Sequence, residues 1–123
     1  MGAFVISKRE NGEYKFVYTN RRGNTTLTSA KYATKVECEE DIETIKANTE
    51  YCYYVRFKAS NGKFFFRIIL NGQVLATSRK FNTELRIAKG IDEIKLYASK
   101  AETLDFSEND FFFTEEEQEE KVA

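Results

Sequence analysis

The side chains that most often perform catalysis are scarce in this chain. It contains no histidine and only two cysteines, Cys38 and Cys52, so the commonest general base and the commonest metal ligand are both missing. Carboxylates come in two runs, ECEEDIE at residues 37–43 and EEEQEE at residues 115–120. A run of this kind is typical of a solvated helix face, and no EF-hand or phosphate-binding glycine-rich motif occurs. We therefore predict a non-enzymatic protein with no catalytic residues, no metal site and no cofactor.

Both cysteines have positions typical of packing. Cys38 shares a predicted helix face with Ile42 and Ile45, and Cys52 lies in the aromatic segment YCYYV. A disulfide between them needs oxidising conditions that nothing in the sequence indicates, so a reduced, cytoplasmic protein is predicted. An enzymatic alternative requires a concave pocket with a perturbed carboxylate or a Cys52 thiolate.

An aromatic strand supplies the first candidate binding surface. In KFFFRIIL, one alternate set is Phe64, Phe66 and Ile68, and the other is Phe65, Arg67 and Ile69. The helices predicted below cannot cover both faces of the sheet to which this strand belongs. One face showing aromatics beside Arg67, Arg56 and Lys58 resembles a stacking platform for single-stranded nucleic acid. The simpler interpretation is an ordinary packed strand, which the net charge of −1 favours.

Two further segments have the composition of a binding surface. Arg21 and Arg22 stand at a hairpin tip, where they form either an anion site or a solubilising turn. The tail DFSENDFFFTEEEQEEKVA contains three consecutive aromatics, Phe111, Phe112 and Phe113. These rings are unfavourable in water, so they either fold back on the domain, which we favour, or dock on a second chain. If they fold back, deletion of residues 109–123 lowers the melting temperature.

The segments that contain these residues form an internal repeat of the sequence. Residues 4–50 and 53–100 align when Asn61-Gly62 is set on Asn11-Gly12, with a one-residue gap in the following turn. The aligned identities are Val5/Val55, Lys8/Lys58, Phe16/Phe66, Thr28/Thr77, Ser29/Ser78, Lys31/Lys80, Thr34/Thr83, Ile42/Ile91, Ile45/Ile94 and Lys46/Lys95. The chain is therefore interpreted as a tandem duplication.

Each copy predicts three strands followed by a helix. Asn-Gly pairs between apolar runs indicate hairpins with type I′ turns, and the helical segments KVECEEDIETIKAN and ELRIAKGIDEIKLY repeat their isoleucines at helical spacing. Thr34 and Thr83 are the predicted N-caps, and Glu37 adds a capping box in the first helix. Gly90 is expected to bring the second helix close to the sheet. An apolar stretch follows each helix, and EYCYYVRFK is long enough to finish the first copy and begin the second.

These motifs resemble the YegP-like family. Members carry one or two copies of a motif like NGQFYFNLKAANGEVILTSE.Y followed by a helix containing GI.SVK, similar to NGKFFFRIILNGQVLATSRKF and GIDEIK here. The resemblance runs from about Phe4 to Tyr97, and in the first copy TNRRGNTTLTS departs from the tight turn. It implies a β-β-β-α-β repeat, two of which form one sheet with exchanged terminal strands. It implies no catalytic residues, and the family's function is unknown.

The sequence thus predicts an α+β fold: two β-β-β-α(-β) repeats in a pseudo-twofold unit, with a shared antiparallel sheet and helices on one face. Residues 1–108 form this unit, and residues 109–123 form an acidic, Phe-rich tail. We predict a binding or accessory module, with single-stranded nucleic-acid binding through the sheet as the alternative. No membrane association is expected, and near-zero charge argues against nucleic acid. A monomer is expected because fused copies need no dimerisation, although an exposed sheet edge can pair two chains into a homodimer.

Overall fold

The computed structural model describes residues 2–108, and the α+β class predicted from the sequence is confirmed. In chain order the elements are β1 (Ala3–Lys8), β2 (Tyr14–Thr19), β3 (Thr25–Thr28), α1 (Lys35–Ala47), β4 (Tyr53–Lys58), β5 (Phe64–Leu70), β6 (Gln73–Ser78), α2 (Glu84–Tyr97), a 3₁₀ turn (Ala98–Lys100) and β7 (Glu102–Asp105). Neither helix in this part of the chain is long and apolar enough to cross a bilayer.

The strands form one sheet, in the order β4-β5-β6-β3-β2-β1-β7. The expectation of an antiparallel sheet is wrong at one pairing, because β7 runs parallel to β1, with Ala3 opposite Glu102 and Ile6 opposite Asp105. Parallel pairing needs a long connection, and here most of the chain lies between the two partners. The sheet is therefore mixed. β3 and β6 meet at its centre, where Leu27 pairs with Ser78 and Thr28 with Thr77.

Alternation along the strands places the core on one side of the sheet. Phe4, Phe16, Tyr18, Phe66 and Ile68 are all buried, and the residues between them in β1, β2 and β5 are only partly buried. The helices complete this core with the predicted faces: Cys38, Ile42 and Ile45 from α1 and Ile87, Ile91 and Ile94 from α2. Both helices therefore pack on one face of the sheet.

The hairpin turns are of two kinds rather than one. Asn71 and Gly72 both have positive φ, at 53° and 77°, as a type I′ turn requires. At the other two Asn-Gly pairs only the glycine has positive φ. There the Asn side chain accepts a hydrogen bond from the backbone N–H two residues later, at 3.1 Å in both Asn11 and Asn61. The type I′ prediction is wrong at these turns, because the Asn side chain stabilises an alternative local geometry.

Both helices begin at the N-caps predicted from the sequence, Thr34 and Thr83. Thr34 accepts from the Glu37 N–H at 3.2 Å, and the Glu37 carboxylate accepts from the Thr34 N–H, so the capping box is confirmed. Thr83 accepts from the Arg86 N–H at 3.2 Å, and Arg86 returns no such bond. Hydrogen bonds accepted by the side chains of Thr34 and Thr83 therefore cap both helices at their first turn.

The two ends of the sheet differ. β1 is covered by β7, whereas no strand within residues 2–108 pairs with the outer edge of β4. The expectation that EYCYYVRFK finishes one copy and begins the next is wrong, because the chain between α1 and β4 forms turns and only Tyr53–Lys58 is a strand. The segment from residue 48 to residue 52 is too short to form a strand and then return to run alongside β4.

Candidate binding surfaces

Within residues 2–108, no helix or strand covers the face of the sheet opposite α1 and α2. We call it the outer face. At the β4–β5–β6 end it presents a contiguous apolar patch, since Tyr53 pairs with Ile69, Val55 with Arg67, Phe57 with Phe65, and Ile69 with Val74. Tyr53 is 70% exposed and Val74 is 45% exposed. The outer face thus presents large apolar side chains to solvent.

Within this patch one arginine lies on two rings. Phe57 and Phe65 stack with centroids 5.1 Å apart and planes 16° apart. The Arg67 guanidinium carbon lies 5.0 Å from the Phe57 centroid and 5.5 Å from that of Phe65. A guanidinium over aromatic faces is a stable arrangement that leaves its N–H edge available. The aromatic surface beside Arg67 is therefore present, formed by Phe57 and Phe65.

The other two cations expected on that platform lie on the opposite side of the sheet. Arg56 pairs with the buried Phe66, and Lys58 pairs with Phe64, over whose ring its amine lies at 5.9 Å. Consecutive strand residues point to opposite faces, so Arg56 and Lys58 cannot join Arg67. The structure brings together one of the three cations with the aromatic patch.

Arg21 and Arg22 lie at the tip of the β2–β3 turn. The Asn20 side chain orders this turn by accepting from the Arg22 N–H at 2.9 Å and from the Asn24 N–H at 3.1 Å. Both arginines line a cleft of about 370 Å³ between this turn and α2. Three more cations, Arg79, Arg86 and Lys89, line the same cleft. We call this the basic cleft.

Sequence reasoning missed the last three cations. Arg86 and Lys89 lie on the solvent-exposed part of α2, and Arg79 follows β6. A signal existed in the aligned copies, where Glu37 and Glu40 stand at the positions of Arg86 and Lys89. The charge is therefore reversed between α1 and α2 at these two aligned positions.

The buried thiols have the chemistry of core residues. Burial, helped by the nearby carboxylates of Asp41 and Glu39, raises the pKa of Cys38 to about 12. Burial also raises the pKa of Cys52. A raised pKa removes the thiolate that nucleophilic or metal chemistry needs. Among residues 2–108 no three Cys, Asp or Glu side chains are grouped closely enough to hold a metal ion.

Phe111, Phe112 and Phe113 lie outside the described residues. The fold-back of the tail therefore remains a prediction. The last described residue before the tail is Glu108, whose carboxylate accepts a hydrogen bond from the Lys35 amine on α1 at 2.5 Å.

The fold defines a class of small α+β proteins in which two helices lie on one face of a seven-stranded mixed sheet. The Escherichia coli YegP solution structure has this fold, with a TM-score of 0.77 at 30% identity, covering 86% of this chain and 93% of that one. A solution structure of a UPF0339 protein from Shewanella oneidensis gives a TM-score of 0.79 at 27% identity, covering 86% and 92% of the respective chains.

Sequence comparison gives the family. YegP of Escherichia coli K12 is 32% identical over 96 residues, covering 76% of this chain and 87% of YegP. A UPF0339 protein of Acinetobacter baylyi is 32% identical over 108 residues, covering 86% of this chain and 97% of the relative. Residues 53–105 match the family model described as a domain of unknown function, DUF1508. The chain belongs to the YegP-like UPF0339 family.

Proposed function

We propose that this protein is a non-catalytic binding module, built from two copies of one β-β-β-α unit, that docks a partner protein through its outer face. The observation that carries this proposal is the patch of apolar side chains on the outer face, which neither helix of residues 2–108 covers. Contiguous exposed apolar surface is unfavourable in a soluble protein unless it serves recognition. Tyrosine and phenylalanine are also enriched at the centres of protein interfaces.

Matching hydrogen bonds support the duplication. Ser29 Oγ accepts from the Phe16 N–H at 2.9 Å and donates to the Ala30 carbonyl. Ser78 Oγ accepts from the Phe66 N–H at 2.9 Å and donates to the Arg79 carbonyl. The two units then form a pseudo-twofold pair about the β3–β6 contact. Because β7 of the second unit pairs with β1 of the first within one chain, we propose a monomer.

The absence of catalysis is part of the proposal. The protonated, buried thiols of Cys38 and Cys52 support it, and so does a chain without histidine. Free cysteines also fit the cytoplasmic location that we propose.

A capture experiment with surface variants tests the docking. Tyr53→Lys/Val74→Lys places two charges in the patch, and Val36→Lys places one on α1, where Val36 is 60% exposed. Each protein is immobilised, exposed to an extract of the cells that produce it, and the retained proteins are quantified. We expect the wild type and Val36→Lys to retain the same partner and the double variant to lose it by at least about tenfold, as truncation of interface anchors does. Equal retention by all three contradicts the proposal.

Single-stranded nucleic-acid binding is the second candidate, and the Arg67–Phe57–Phe65 stack is the observation that favours it. Bases stack on aromatic rings in such proteins, and the affinity falls steeply with salt. A labelled oligonucleotide is titrated at low and high salt into the wild type, Phe65→Leu and Leu96→Ala, a control on α2. Binding that weakens at high salt and with Phe65→Leu, but not with the control, supports this candidate. Absence of binding at both salt concentrations eliminates it.

A further inference from the structure

The basic cleft is a built concavity on the helix side of the sheet, separate from the outer face. Its walls are the β2–β3 turn, the chain following β6, and one side of α2 from Arg86 to Tyr97. Its volume of about 370 Å³ lies within the range of roughly 300–1,000 Å³ that small-molecule sites occupy. A ligand here contacts residues from both halves of the chain.

The charge lining the cleft is one-sided. Among residues 2–108, the cleft is lined by one carboxylate, that of Glu93, and by five cationic side chains, those of Arg21, Arg22, Arg79, Arg86 and Lys89. Within residues 2–108 the ion pairs involve only Lys35 and Lys46, so none of the five is neutralised by a neighbour there. Gathering like charges in a concave site concentrates anions from solution. The whole chain has a net charge of −1, which makes this local excess a particular feature of the cleft.

Stacked rings hold one of the cations in place. The Arg79 guanidinium carbon lies 4.6 Å from the Phe81 centroid, and Phe81 stacks on Phe66 with centroids 6.3 Å apart. A guanidinium packed by its face keeps its N–H edge free for paired hydrogen bonds to an oxyanion. Four of the five cations are arginines, the side chain best suited to such bonds.

The corresponding position in the first half shows that the fold does not require this charge. There Tyr32 donates to Asp41 at 2.6 Å, and Glu37 and Glu40 occupy the aligned helix positions. In the second half Phe81 and Gly90 replace Tyr32 and Asp41. A Cβ at Gly90 would lie 3.1 Å from the Phe81 ring, so glycine allows the close approach predicted for it. It also keeps a carboxylate out of the cleft, since Gly90 and Phe81 both line it.

A buried hydroxyl, that of Tyr18, lies next to Gly2, which lines the cleft. The Tyr18 hydroxyl has no hydrogen-bond partner among residues 2–108. A Cβ at position 2 would collide with it, so only glycine fits there, and Gly2 lines the cleft. Burial and the proximity of Glu93 raise the pKa of Tyr18, so this hydroxyl remains a proton donor at neutral pH.

We propose that the basic cleft binds a small ligand carrying two or more phosphate groups. Phosphate oxygens match the arginine N–H groups in geometry and charge, and cations on both walls suit more than one phosphate. Tyr97, which is 42% exposed, also lines the cleft. Its ring provides a stacking surface for the planar group of a nucleoside oligophosphate.

The test is calorimetric titration of the full-length protein with tripolyphosphate, with adenosine triphosphate and with adenosine, in about 50 mM and about 200 mM NaCl. We expect both phosphate compounds to bind, to bind more weakly at the higher salt, and adenosine not to bind. Tighter binding of adenosine triphosphate identifies a nucleotide site, and equal binding identifies an inorganic oligophosphate site. Failure of both phosphate compounds to bind at the lower salt overturns the proposal.

Matched variants assign the binding to the cleft. Arg86→Gln/Lys89→Gln should weaken it by at least about tenfold through loss of charge-assisted hydrogen bonds. Lys8→Gln/Lys63→Gln removes the same charge from the end of β1 and from the β4–β5 turn and should change the affinity by less than about twofold. Glu93→Gln removes the Glu93 carboxylate from the cleft lining and should strengthen the binding by about two- to fivefold. Thermal unfolding checks that each variant is folded. Equal weakening by the two double variants, or weaker binding by Glu93→Gln, overturns the assignment.

Discussion

Tyr32 and Asp41 form a half-buried hydrogen bond that the second half of the chain does without. The 2.6 Å bond to a carboxylate, together with burial, which is the larger cause, raises the pKa of Tyr32 above its ordinary value. We expect Tyr32→Phe to lower the free energy of unfolding by about 1.5 kcal/mol, the value typical of a bond to a charged group. Tyr51→Phe, at an exposed position, is the control and should have no effect. Equal losses in urea unfolding contradict a specific role for the bond.

Cys38 predicts how stability responds to alkaline pH. Its pKa is about 12 in the folded chain against an ordinary value of 9.0. Between these values the unfolded thiol loses its proton and the folded thiol keeps it, so the free energy of unfolding falls as pH rises. The contribution is fully present below pH 9 and decreases by at most about 1.4 kcal/mol per pH unit above it.

Urea unfolding at pH 8 and near pH 10 measures this response. Cys38→Ala should lose less stability than the wild type over the interval, although it begins less stable because of the cavity it leaves. Parallel pH profiles for the two proteins contradict the prediction. Native-state labelling adds a second measurement, since neither Cys38 nor Cys52 should react with a thiol reagent until the chain unfolds.

The helices provide matched core positions for a stability test. Ile42 in α1 is fully buried and Ile91 in α2 is 6% exposed. Truncation of either to alanine should cost about 2–5 kcal/mol, because each leaves a cavity in the same core. Leu96→Ala on the exposed side of α2 is the control and should cost less than about 0.5 kcal/mol. A loss below about 1 kcal/mol at Ile42 or Ile91, measured by urea unfolding, contradicts their core role.

The helices and the positions of the Asn-Gly turns were predictable because their information is local, although the type I′ geometry was predicted correctly only at Asn71-Gly72. Isoleucine spacing identified the buried faces of α1 and α2, and Thr34 and Glu37 identified the capping box. The parallel pairing of β7 with β1 was not predictable in this way, since it joins Ala3 to Glu102. No turn or periodicity specifies a partner so distant in sequence. An additional strand was predicted before β4 because the length and apolar composition of EYCYYVRFK fit two strands as well as one.

The candidate sites also differ in whether local sequence information specifies them. The Arg67 platform could be predicted from alternation within a single strand, and alternation applied to β4 would have separated Arg56 and Lys58 from it. The basic cleft could not, because it gathers residues from position 2 to position 97. A net charge near zero also concealed it. The five cations of the cleft and the acidic side chains of α1 cancel in the total, so the net charge does not reveal the cleft.

At the scale of the whole molecule, Asp105 connects the last strand of the described chain to the first helix. It accepts from the Lys35 amine at 2.9 Å and from the Ser107 N–H at 2.8 Å. Burial alone would raise the pKa of Asp105, but the hydrogen bonds from Ser107 and Lys35 hold it below its ordinary value. The carboxylate therefore stabilises the position of β7 against β1 and α1 while it is ionised.

Removing that carboxylate should destabilise the protein in a pH-dependent manner. We expect Asp105→Ala to lower the free energy of unfolding by about 1–3 kcal/mol near pH 7, because it deletes bonds to a charged group. A lowered pKa in the folded state means that this contribution is present above the ordinary value of 3.8 and is lost as pH falls through the folded value. The difference from the wild type, measured by urea unfolding, should therefore shrink between pH 6 and pH 2.

Glu108→Ala, which removes the other, more exposed carboxylate bonded to Lys35, is the control and should cost less than about 1 kcal/mol. If the decrease in the free energy of unfolding caused by Asp105→Ala stays constant from pH 6 to pH 2, the ionised carboxylate does not stabilise the position of β7.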